Sequence, residues 1–171
     1  ANTITLFVCG DVMTGRGIDQ ALPHPSRPQL YEDYVRSAIG YVELAYARQN
    51  NMPVATIRNA AGNWIEPNLS SISAAAAGAF PADTRILLMN TDAREGYPIS
   101  ALTWLIVYRE QSYGNRTREQ AKALVDLLWW MIHDGQAYAE PLDYAKLPAP
   151  AVKAAEAIIK SITWKGEPLL K

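Results

Sequence analysis

ISALTWLIVY, residues 99–108, decides the fold. It is long, apolar almost throughout and rich in β-branched and aromatic residues, so it reads as a strand. A run with so little polar alternation predicts a place at the centre of a sheet. Working upstream, RILLM (85–89) and PVATI (53–57), the latter after an Asn50-Asn51 turn, read as further strands. The opening run TITLFVC (3–9) reads as a buried, parallel strand ending at Gly10-Asp11. Between these lie less regular pieces. Residues 39–44 suit either strand or helix, and Gly62–Glu66 reads as a turn with a short extended piece. Asn68 is placed to cap a helix running through Ile72 to Ala77 and stopped by Gly78.

Downstream the pattern changes to helix. Thr117 and Gln120 have the spacing of a capping box. Ala121, Leu124, Val125, Leu128, Met131 and Ile132 then form one apolar stripe, with Gly135 as the expected stop. A short helix is predicted over 136–140, before Pro141. A last helix starts near Ala149 and turns Val152, Ala155, Ile159 and Ile162 inward. Near the start, Pro23, Pro25 and Pro28 hold their segment out of a helix, and a helical stretch begins at Gln29 and reaches Ser37. Alternating strands and helices predict α/β layers in one domain, which suits 171 residues.

Composition narrows the function. Sixteen Lys and Arg against 17 Asp and Glu argue against non-specific nucleic-acid binding, which needs clustered positive charge. No run of 18 apolar residues exists, so no membrane-spanning helix is expected. Ala1 to Phe7 lack the basic start and cleavage site of a signal peptide. A single cysteine, Cys9, excludes an internal disulfide and a multi-cysteine metal site.

Candidate chemistry concentrates at Gly10 to Gly17. GDVMTGRG has the glycine spacing of a phosphate-binding loop, but Arg16-Gly17 stand where Lys-Ser/Thr would be required for a nucleotide. Backbone N–H groups at Gly10, Thr14, Gly15 and Gly17, with the Arg16 guanidinium, instead suit a small oxyanion such as phosphate or sulfate. Asp11 is the one candidate metal ligand; a lone carboxylate does not make a stable site, and bonding within its own loop is the better reading. His24, among prolines, reads as a surface residue. His133, in the last turn of a helix, reads as structural, and Cys9 as an inert core thiol. Of Trp129 and Trp130, one is expected in the core and the other over a lobe or subunit contact. No G-x-S-x-G occurs to suggest a serine hydrolase.

Two families resemble parts of this chain. IGYVELAYARQN (39–50), NTDAREGYPIS (90–100), LVDLLWWMIHDGQAYAEPLDYAKLP (124–148) and AIIKSITWKGEPL (157–169) resemble, in order, the C-terminal part of the periplasmic phosphate-binding protein of phosphate ABC transporters. ITLFVCGDVMTGRGIDQALPHP (4–25) through YEDYVRSA (31–38) resembles the start of the poly-γ-glutamate capsule biosynthesis family, a calcineurin-like metallophosphatase group. The two patterns meet near residues 37–44, which implies a fusion. The first resemblance implies an α/β fold, a single three-layer-like domain similar to part of a type II periplasmic binding protein.

That family holds its anion between two lobes with residues that precede the segment matched here, so none carries over. In the second family Asp11 matches an early metal ligand, but the later Asn and His motifs are missing; Gly62-Asn63 resembles part of one, with Trp64 in place of the His. The expectation is a non-enzymatic, solute-binding-type domain with phosphate or other oxyanion binding lost or weak, no cofactor, and a homodimeric state. A degenerate metallophosphatase-like hydrolase and a ligand-free structural or oligomerising chimera are the alternatives. The larger family is periplasmic, and the sequence itself assigns no compartment.

Overall fold

The computed structural model describes residues 42–170 and the backbone of residues 3–11. It is a mixed α/β arrangement of β1 (Thr3–Asp11), α1 (Leu44–Gln49), β2 (Ile57–Arg58), β3 (Trp64–Ile65), α2 (Leu69–Ala75), β4 (Ala101–Tyr108), α3 (Arg118–Ile132), α4 (Ala149–Lys160), β5 (Thr163–Trp164) and β6 (Glu167–Pro168). Two short 3-10 turns, Asp134–Tyr138 and Glu140–Leu142, join α3 to the segment before α4.

Among the described residues the strands form three two-stranded antiparallel sheets. The expectation of a parallel β1 is therefore corrected. β1 runs antiparallel to β4, from Thr3 opposite Tyr108 to Asp11 opposite Ala101. An apolar run reads the same in either direction, so the sequence could not choose. The ladder shifts register between Phe7 and Cys9, so Val8 is the extra residue of a β-bulge. The central position expected of 99–108 is not seen either. Among the described residues β4 pairs only with β1, and it begins at Ala101. Ile106 and Tyr108 are exposed while Leu105 and Val107, on the opposite face, pack against the main core, which suits an antiparallel pair with one face toward water.

Two other predicted strands contract. Of 53–57 only Ile57 enters a ladder, as part of β2; Pro53 has no N–H to give to one. Residues 85–89 join no described sheet. They keep a strand's alternation, with Leu88 buried between exposed Leu87 and Met89.

The helices follow their local signals. At α2, Asn68 Oδ1 accepts from Ser71 N at 2.9 Å, and Ser71 Oγ accepts from Asn68 N at 3.0 Å. At α3, Thr117 and Gln120 make the same reciprocal pair at 3.3 and 3.0 Å. Residues 44–49, at the edge of the ambiguous stretch, are helical. Buried Glu43 accepts a hydrogen bond from the Tyr144 phenol, and Arg48 pairs with Asp143 at 2.6 Å, so α1 is held against Asp143 and Tyr144.

α3 stops at Ile132, with His133 rather than Gly135 as its cap. Gly135 lies in the following 3-10 turn, and the predicted 136–140 helix becomes this turn and the next. A Cβ on Gly135 would sit 3.0 Å from the Trp130 carbonyl oxygen and 3.1 Å from its ring, a tight approach that favours glycine.

The main core joins α3 (Ala121, Val125, Leu128, Ile132) to α4 (Ala151, Ala155, Ile158, Ile159), with Ile162, Leu169 and Leu102 of β4. Val152 is half-buried at its margin. Ala121, Ala151 and Ala155 have no exposed surface, and their small side chains let the two helices approach closely. A second cluster gathers Leu44, Ile65, Ile72, Tyr97 and Ala145; burial there pushes the Tyr97 phenol up from its ordinary pKa. Trp129 packs against the main core and Trp130 is exposed beside Tyr138, the split expected of the pair. No helix among the described residues is long and apolar enough to cross a membrane.

Candidate functional site

The root of the predicted oxyanion loop is defined by backbone pairing. Gly10 stands opposite Leu102, and Asp11, the last residue of β1, opposite Ala101, the first of β4. Thr14, Gly15, Arg16 and Gly17 lie outside the described residues, as do His24, the three prolines, the 29–37 helix and the Cys9 side chain. Among the described residues no group of three or more His, Cys, Asp or Glu is arranged to hold a metal.

The chain entering β4 beside this root is firmly clamped. Asn59, buried, directs its side-chain amide at three backbone carbonyls: Ala93 at 3.1 Å, Arg94 at 2.8 Å and Gly96 at 3.1 Å. Its Oδ1 accepts from Asn63 N at 3.0 Å, and Asn63 Nδ2 donates to the Arg94 carbonyl at 2.9 Å. Gly96 lies against α2, where a Cβ would fall 3.1 Å from the Ala75 Cα. Tyr97 N donates to the Ser71 carbonyl at 3.0 Å, and buried Ser100 donates from Oγ to the Tyr97 carbonyl at 2.9 Å. Residues 93–100 are thus fixed to α2 before the chain reaches Ala101, and α2 itself touches β1. The backbone leading into the Asp11–Ala101 end of the β1–β4 ladder is therefore held by side-chain and main-chain hydrogen bonds. The α2 and α3 N-termini have already committed the Ser71 and Gln120 amides to Asn68 and Thr117.

A different carboxylate is saturated with donors. Glu110 accepts from Gly166 N at 3.0 Å, Lys165 N at 2.7 Å, Ser112 N at 2.9 Å and Thr163 Oγ1 at 2.9 Å. Lys165 and Gly166 both have positive φ, as a type I′ hairpin turn requires between β5 and β6. The Gly166 bond, with those from Lys165 and Ser112, pulls the Glu110 pKa down to about 2. A depressed carboxylate stabilises the fold above its unfolded value of about 4.3, and that contribution is lost as pH falls through the folded value. Between pH 4 and 2, E110Q is therefore expected to lose less stability than the parent chain. Acid titration followed by circular dichroism checks this, and parallel curves would contradict it.

Sequence reasoning missed Asn59, Glu110 and the pairing of His133 with Glu156, because each meets partners 23 to 56 residues away. His133 caps α3, and its Nε2 lies 2.9 Å from Glu156 Oε1 of α4.

No family model matches the chain. It is 35% identical over 130 residues to the phosphate-binding protein PstS of Xylella fastidiosa, which covers 74% of this chain and 35% of that protein. It is 33% identical over 140 residues to PstS of Haemophilus influenzae, 80% of this chain and 39% of that protein. A shorter match, 51% over 53 residues, is to a probable polyglutamine synthesis accessory protein of Mycobacterium tuberculosis, 31% of this chain and 14% of that protein. The relatives matched over most of the chain are named as binding proteins rather than enzymes, in agreement with the non-catalytic expectation. The chain spans little more than a third of their length. About three quarters of it is thus similar to one part of PstS phosphate-binding proteins.

Proposed function

We propose that this chain is a solute-binding-type scaffold without catalytic activity, in which oxyanion binding is lost or weak. The observation that carries the reading is the similarity to phosphate-binding proteins at 30–35% identity across most of the chain. High-affinity capture of an anion needs many converging donors, and Gly10 to Gly17 offers backbone N–H groups and a single guanidinium, Arg16. The architecture proposed is one domain over 1–171, equivalent to part of a type II periplasmic binding protein.

The first 38 residues are proposed to come from a metallophosphatase-like parent and the remainder from the phosphate-binding one. The short, 51% identical match to the mycobacterial accessory protein supports two origins. In this reading Gly10, Thr14, Gly15, Arg16 and Gly17 provide the residual oxyanion contact, on the floor formed by Asp11–Ala101 and the clamped 93–100 segment. Titration calorimetry with phosphate and with sulfate tests it. Weak binding, at millimolar level, is expected, weakened at least tenfold in R16A, the order of loss when a charged hydrogen bond is removed. No heat, or equal heat in R16A, removes the site. Metal-dependent phosphatase activity that disappears in D11N would favour the hydrolase alternative. Exposed Leu87, Met89 and Ile106 support a homodimer, and light scattering at high concentration that finds monomer alone would reject it.

A further inference from the structure

α3 ends irregularly. His133 N donates to the Trp130 carbonyl at 3.1 Å, so the Trp129 carbonyl lacks its usual partner four residues on. The His133 side chain supplies it: Nδ1 lies 2.8 Å from the Trp129 oxygen. A carbonyl only accepts, so Nδ1 carries a proton. Nε2 then faces Glu156 Oε1, also an acceptor, at 2.9 Å. In a neutral imidazole protonated at Nδ1, the Nε2 lone pair would point at a carboxylate. Both contacts are satisfied together only when the ring carries both protons.

We propose that His133 is a protonation latch that holds the end of α3 against α4. Among the described residues the groups facing it are few. α4 contributes Glu156 and, 3.8 Å from the other Glu156 oxygen, Lys160; the following turn contributes Asp134. Lys160 opposes the charged ring, while the two carboxylates and the negative end of α3 favour it. Burial alone would lower the His133 pKa; the bonds to the Trp129 carbonyl and Glu156, with both carboxylate charges, outweigh burial and raise it.

Chain beyond the latch depends on this corner. Gln136, three residues on, donates to the Met131 carbonyl at 2.7 Å and accepts from Leu147 N at 2.8 Å, carrying its position to the segment that enters α4. Because the folded pKa is raised, the stabilisation is complete below the unfolded value of about 6.5 and is lost as pH rises through the folded one.

The ring titration of His133 is read by NMR on the whole chain, with H133Q separating its signal from that of His24. The expected midpoint lies above 6.5 and falls by about one unit in E156Q. Trp129, whose ring is 4.5 Å from the imidazole, should brighten as the proton leaves, with the same midpoint, and this change should be absent in H133Q. The thermal midpoint of the parent chain should drop between pH 5.5 and 8 by more than that of H133Q. A midpoint at or below 6.5, or one unmoved in E156Q, overturns the proposal. The parent titration and E156Q decide it even if H133Q does not fold.

Discussion

L128A is expected to lose about 2–5 kcal/mol of stability, measured by urea unfolding. Leu128 has almost no exposed surface and lies in the core that joins α3 to α4. Truncation removes its transfer free energy and leaves a cavity that neighbours fill only in part, since the helices are held apart by other side chains of the same cluster. L128M, close in volume, should lose less than about 1.5 kcal/mol. The control is its neighbour: Leu127 is half exposed, and L127A should change stability by no more than about 0.5 kcal/mol. Equal losses at 127 and 128 would mean that the helix packs through a different face.

N59A is the second large effect, about 2–4 kcal/mol by the same measurement, because several hydrogen-bonding groups lose their partner at once. The side-chain amide faces three carbonyls and its oxygen holds the Asn63 N–H. N59D separates hydrogen bonding from packing. It keeps the shape but turns an acceptor toward three acceptors, so it should be at least as damaging as N59A. If N59D is tolerated, the site is a matter of volume. Amide exchange at Asn63 should quicken in both variants, and the looser 93–100 segment would weaken any oxyanion contact built on the end of β1.

The features legible in the sequence are those whose cause is local. Asn68 with Ser71 and Thr117 with Gln120 act across three residues, so both helix starts could be read. The stripe from Ala121 to Ile132 and the inward residues of the last helix follow from helical spacing, and the core is built from them. Strand direction and position are not local. Residues 99–108 are as apolar as a central strand, yet their partner and its direction come from residues 3–11, about 90 positions or more away. Arg85–Met89 alternates like a strand without entering a described sheet, since alternation reports which residues are buried and not which backbone groups are paired. Gly135 was a reasonable helix stop by type, but the ring and carbonyl of Trp130 put it to another use. For the candidate site, Gly10 and Asp11 locate its root, and Asn59, which holds the adjoining chain, carries no sequence signal because Gly96 is 37 residues distant.

The β1–β4 ladder also predicts an order of assembly. Its innermost pair, Asp11 with Ala101, closes a loop of about 90 residues, whereas α3 and α4 lie within one stretch from 118 to 160. Closing the longer loop takes more chain entropy, and non-local contacts form slowly. The helical pair can collapse on its own local contacts first, giving β4 a packed surface on which to wait. The opening strand is then expected to dock last, through N–H and C=O groups that every residue but proline carries. Such a step tolerates wide variation in the docking segment, because the ladder's main-chain bonds depend on backbone direction and little on side-chain identity.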